Sequence, residues 1–164
     1  MSKVGLLRIE KVATILESYA DRGVFRGFSH GPVRNGKAAF KILWHRDRLF
    51  DLILDVHKNT MRFPLVLPDV PADSSMYRKF KEFLMSRHSK AMPEHRRIDT
   101  RKVRLLCRNQ GSNVSLTLKI EDRDYEYGTR KLIHFMHEIF LVFLADGCYS
   151  EYMVETFNVD PDGP

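Results

Sequence analysis

Cysteine is scarce in this chain of 164 residues: Cys107 and Cys148 are the only two, far apart and without C-x-x-C spacing. That excludes a disulfide scaffold and a zinc-finger framework, and reduced thiols in a cytoplasmic setting are the expectation. Long apolar runs are missing as well. The longest uninterrupted one covers residues 139–145, far short of the ~20 that span a bilayer. The amino terminus, MSKVGLLRIEK, puts charges where a secretion signal needs an apolar stretch. A soluble chain without a membrane partner is expected. There is no internal repeat and no low-complexity tract.

Acidic residues are thin in one region. Residues 78–108 carry eleven Lys or Arg against Glu82, Glu94 and Asp99, a local charge of +8 in a chain of +6, so the remainder is −2. The residues after Cys148 hold Glu151, Glu155, Asp160 and Asp162 and no base. Such polarity bears on partners rather than on fold.

What is present is a chain able to build a core. At 43% hydrophobic and 11% aromatic it is not disordered. Its length fits one domain, 1–164, that buries roughly 70% of its unfolded surface. The stretch 127–147 is the most apolar: Leu132, Ile133, Phe135, Met136, Ile139, Phe140, Val142, Phe143 and Leu144 cover most of a helical wheel. A helix apolar nearly all round is buried. Thr129 is its expected N-cap and Gly147 its C-terminal stop.

The other elements follow from periodicity. Val4, Leu7, Ile9, Val12, Ile15, Leu16 and Tyr19 recur at helical steps over 3–21. The period then falls to two. A short strand is expected at 24–28, then strands at 37–44, 50–56 and 61–67, joined by the loops 45–48 and 57–60. Pro64 inside the last of these argues for an edge strand, because proline cannot donate to a ladder. Asp73 or Ser74 caps a helix over 75–88, with Met76, Phe80, Phe83 and Leu84 inward and Arg78, Lys79, Lys81 and Arg87 outward. Residues 89–99 read as loop. Strands at 102–108 and 113–120 flank an Asn-Gln-Gly-Ser turn. Residues 149–157 form a short amphipathic segment ahead of an acidic tail.

The expected fold class is therefore α+β: an antiparallel sheet of five or six strands in hairpins, helices packed on one face, and the C-terminal helix most buried. This α-β-β-β-β-α-β-β-α order resembles that of type III secretion chaperones over residues of about 3 to 146. The resemblance rests on element order and implies a homodimer that binds unfolded segments of client proteins.

Motifs of chemistry are few. Gly31-Pro-Val-Arg-Asn-Gly36-Lys37 matches the spacing of a phosphate-binding loop, but Ala38 supplies no hydroxyl and a strand follows instead of a helix. It reads as a hairpin loop. His134, His137 and Glu138 share one side of the apolar helix, as part of a metal site or as its polar edge toward water or a subunit. Asp51 and Asp55 share strand parity, and the expectation is two solvated carboxylates. The basic segment offers Arg78, Lys79, Arg96, Arg97, Lys102 and Arg104 to phosphates, although Tyr77, Phe80 and Phe83 lie at core spacing and leave no ring for base stacking. Tyr149, Tyr152, Met153 and Phe157 present an apolar side to a protein partner. The first expectation is a non-catalytic, chaperone- or adaptor-like protein-binding module, without cofactor and homodimeric. Nucleic-acid binding through 78–108 is the alternative, and a metalloenzyme using the central helix the lesser one.

Overall fold

The computed structural model describes residues 2–144. The chain begins with helix α1 (Lys3–Asp21), capped by Ser2, whose hydroxyl accepts from Gly5 N. Strands β1 (Gly27–Arg34), β2 (Lys37–Trp44), β3 (Arg48–Asp55) and β4 (Thr60–Leu67) follow, then helix α2 (Ser75–Ser86). Strands β5 (Val103–Gln110) and β6 (Asn113–Ile120) precede helix α3 (Tyr125–Glu138), which runs into a π-helical turn, Ile139–Phe143. The element order is the expected one. The six strands pair antiparallel in the order β1-β2-β3-β4-β6-β5.

Alternation sets the two faces of this sheet. Ala38, Phe40, Ile42 and Trp44 on β2, Phe50, Leu52 and Leu54 on β3, and Leu116 and Leu118 on β6 are buried beneath the helices. Lys41 and Asp51, paired across β2 and β3, lie on the other face and bond each other at 2.8 Å. Two hairpins close with residues whose φ is positive at both central positions, Asn35-Gly36 and Gly111-Ser112. These are the turns whose twist matches that of the flanking strands. Gly36 is the more demanding, since a Cβ there would sit 2.4 Å from the His57 ring. The phosphate-loop-like stretch is thus the end of β1 and a tight turn. β1 itself starts at Gly27 and runs on through Pro32, later than the strand expected at 24–28.

Four further expectations need correcting. β4 is an interior strand despite Pro64. Its pairing with β3 stops at Arg62, and its register against β6 shifts between Phe63 and Leu67. Proline therefore sits where no ladder bond is asked of it, and the Arg48 guanidinium donates to the Val66 carbonyl at 2.9 Å nearby. Asp124, not Thr129, caps α3: its carboxylate accepts from Tyr127 N at 3.0 Å. Thr129 lies fully buried in the second turn, its hydroxyl donating to the Tyr125 carbonyl at 2.6 Å. Val4 and Leu7 are exposed, because α1 turns Gly5, Ile9, Val12, Ala13 and Leu16 inward instead. Asp55 is buried rather than solvated, since its carboxylate accepts from the backbone of His57 and Lys58 to close the β3-β4 turn.

The core lies between the sheet and the helices. α3 packs on it closely, and at Gly128 a Cβ would meet Leu118 and Ile120 of β6 at 3.2 Å. No helix among the described residues is long and apolar enough to cross a membrane. The helix stop at Gly147 and the apolar set Tyr149, Tyr152, Met153 and Phe157 fall outside the described residues.

Candidate anion-binding cleft

Between α2 and β5 the chain spends residues 87–102 on turns rather than on a helix or strand, somewhat more than the loop expected over 89–99 from Pro93 and the lack of periodicity. Four ties fix this connection, one within itself and three to α3. Ile98 is buried in the core, and its N–H donates to the Arg87 carbonyl at 2.9 Å, closing the loop on itself. Asp99 N donates to the Tyr127 hydroxyl at 3.0 Å. The Lys131 ammonium donates to the carbonyls of His95 and Arg97 at 3.2 and 3.1 Å. The fourth tie is ionic.

Glu138 is 6% exposed and Arg87 7%, and they meet at 2.7 Å. Arg96 adds a second guanidinium at 3.6 Å, and His134 bonds the other carboxylate oxygen at 2.9 Å. Arg87 also lies over the Phe83 ring, 4.2 Å from its centroid. Arg87 was expected on the outer face of α2. It is buried because its backbone is still helical and it follows Phe83 by four residues and Leu84 by three, which puts it on the inner face of the helix, within reach of Glu138.

Tyr127, Lys131, His134 and Glu138 fall at steps of four, three and four, one stripe of α3 facing the connection. This stripe is the signal that sequence reasoning passed over. It took His134, His137 and Glu138 as one set, whereas the fold splits them. Glu138 turns into the protein, His134 is an exposed partner of its carboxylate, and His137 lies against His45 and Trp44, 5.3 and 6.3 Å between ring centroids. Among the described residues no group of three or more metal-ligating side chains gathers.

The ties leave a cleft of about 540 Å³, lined by His88, Lys90, Glu94, Arg97, Ile98, Asp99, Thr100, Arg101, Tyr127 and Lys131. Its charge is uneven. Arg101 is paired with Asp99 at 3.1 Å and holds that carboxyl below its ordinary value. Lys90, Arg97 and Lys131 have no carboxylate partner among the described residues. Arg97 gives one N–H to the Lys90 carbonyl at 3.4 Å, and a guanidinium has five. Lys131 keeps one of its three donors.

His88 forms part of the wall in a defined tautomer. Its Nε2 faces the Leu105 N–H at 3.3 Å and its Nδ1 the Leu84 carbonyl at 3.1 Å. A backbone N–H only donates, so Nε2 accepts and the proton resides on Nδ1. Burial pushes the His88 pKa down. The unfolded chain therefore takes up this proton at higher pH than the folded one, and stability falls as pH drops below about 6.5. The slope contributed by this residue approaches about 1.4 kcal/mol per pH unit at most. Urea unfolding between pH 7.5 and 5 is expected to show the loss, and His88→Asn to lessen it, leaving the part that the half-buried rings of His45 and His137 contribute; an unchanged slope in the variant counts against this role.

The six cations proposed for nucleic acid do not form one free patch. Arg104 pairs with Glu121 at 3.0 Å, Lys102 with Asp124 at 3.0 Å and Asp122 at 3.5 Å, and Arg96 with Glu138. Arg78 and Lys79 are exposed on α2 and do not line the cleft. Only Arg97 belongs to it. No family model matches the chain, and neither a curated protein nor a solved structure does. The functional reading rests on the site itself. Cys107, half-buried with its sulfur 3.7 Å from the Tyr77 hydroxyl, has its pKa raised by burial, which makes it a poor nucleophile.

Proposed function

We propose that the protein is a binding module that holds a compact anionic ligand, a phosphate-bearing small molecule, in the cleft between the 87–102 connection and α3. One observation carries the reading: Lys90, Arg97 and Lys131 line one concave site with donors to spare and no ion-pair partner among the described residues, and they outnumber Glu94, the one lining carboxylate that Arg101 does not already pair. A volume of about 540 Å³ lies in the usual range for small-molecule sites. Ile98 and the Tyr127 ring supply an apolar floor on which the rest of such a ligand rests. A nucleic-acid strand needs a longer uninterrupted cationic track, and the ion pairs of Lys102 and Arg104 break it. The chaperone-like reading draws its residues from the segment after Leu144.

Calorimetric titration with inorganic phosphate, nucleoside phosphates and a single-stranded oligonucleotide tests this. Saturable binding of phosphate compounds, weakened by added salt, is expected. Lys90→Ala, which removes no bond within the fold, should weaken it about tenfold, the worth of one charged hydrogen bond. The oligonucleotide binding more tightly per phosphate than the small compounds would favour the nucleic-acid reading. No saturation at millimolar phosphate ligand would overturn the proposal.

A further inference from the structure

Away from the cleft, two half-buried imidazoles share an aromatic niche. His45 opens the 3₁₀ turn between β2 and β3, where Arg46 and Asp47 both take positive φ, 57° and 55°. His137 stands where α3 passes into its π-helical turn, a departure from regular helix that is frequent at functional sites. The His45 ring is stacked on Trp44 at 4.3 Å and on Phe140 at 4.6 Å, and the His137 ring is 5.3 Å away at an interplanar angle of 38°. His45 Nε2 and His137 Nδ1 are both buried, and neither has a hydrogen-bond partner among the described residues. Buried polar atoms are nearly always satisfied, so two orphaned ring nitrogens on neighbouring rings point to a missing occupant.

We propose that His45 and His137 form a two-imidazole site for a divalent transition metal of the zinc, nickel or copper class, its remaining positions taken by water or a small anion. The spacing fits. Two imidazoles bound to one ion at about 2.1 Å, at a tetrahedral angle, place their ring centroids about 5 Å apart. Imidazole nitrogen is the donor these metals prefer. The niche also keeps the rings in the neutral form that ligates: burial, then His137 and Arg46, bring the His45 pKa down to about 4, and burial lowers that of His137. Arg46 and Arg48, each 5.9 Å from the Phe140 centroid, put positive charge beside the site.

Trp44 is the chain's single tryptophan and stacks on His45, so it reports occupancy directly. Titrating the purified protein with nickel or copper should quench its fluorescence saturably at micromolar metal, and zinc should reverse the quenching by competition. Saturating zinc should raise the unfolding temperature, since it binds the folded state only. His137→Gln and His45→Gln should each move the midpoint by about tenfold or more, and His134→Gln, on the exposed side of α3, should not. If His45→Gln fails to fold, His137→Gln together with metal-induced shifts of the His45 ring resonances decides the matter. Quenching that is unsaturable, or unchanged in both variants, overturns the proposal and leaves a buried water as the occupant.

Discussion

Glu138→Gln is expected to lower the unfolding free energy by about 3–5 kcal/mol, the usual result of removing one partner from a buried ion pair. The charge left behind is the reason. Arg87 is as buried as Glu138 and loses its 2.7 Å partner, while Arg96 and His134 lose theirs. The neutral amide keeps the shape of the carboxylate, so the loss reads out charge rather than volume. Two apolar replacements together, Arg87→Met with Glu138→Leu, should recover most of it, because desolvation then falls on neither ion. Urea unfolding of Glu138→Gln, beside the cycle formed by Arg87→Met, Glu138→Leu and the pair, measures this. A loss below about 1 kcal/mol in Glu138→Gln would show that solvent reaches the pair and that it behaves as a surface bridge. The same pair anchors the start of the 87–102 connection, so Glu138→Gln should also weaken ligand binding in the cleft.

Phe50→Ala should be about as damaging, at roughly 3–5 kcal/mol. Phe50 is 1% exposed and meets rings from two other elements. Its ring meets Phe63 of β4 edge-on at 6.1 Å and Phe140 of the π-helical turn at 5.7 Å, and the Arg48 guanidinium lies 4.6 Å from its centroid. Truncation removes the transfer term, leaves a cavity, and discards two aromatic contacts worth about 0.5–1.5 kcal/mol each. The adjacent residue is the control. Leu49 lies on the outer face at 59% exposure, and Leu49→Ala should change stability by no more than about 0.5 kcal/mol. Equal losses at the two positions would contradict the facing of β3.

Periodicity carried most of the architecture. Strands β2 and β5 alternate throughout and β3 and β6 over most of their length, so their inner faces and hairpin partners were readable from a period of two. The apolar wheel of residues 132–144 marked the buried helix for the same reason. Pro64 misled because its rule concerns a ladder bond, and whether that bond is required depends on where the neighbouring strand ends. Thr129 misled because a cap depends on which residue first leaves helical geometry, and the Asp124 carboxylate reached Tyr127 N one turn earlier.

The site was less legible. A formal +8 over residues 78–108 suggested one cationic surface, yet Lys102, Arg104 and Arg96 are each matched by acids from the turn after β6 or from α3. Charge along the chain adds up; charge in space depends on partners brought from elsewhere.

By itself the sequence determined the fold class, the order of elements, the inner faces of the alternating strands and a hairpin loop within residues 31–37, since all of these follow from local spacing and backbone preference. Only the tertiary structure decided which charges remain unmatched. It turned Arg87 inward onto Glu138, left Lys90, Arg97 and Lys131 around a cleft, and set His45 beside His137. Those outcomes rest on contacts between residues tens of positions apart, and the energy of a charge or a ring nitrogen is set by what surrounds it in space.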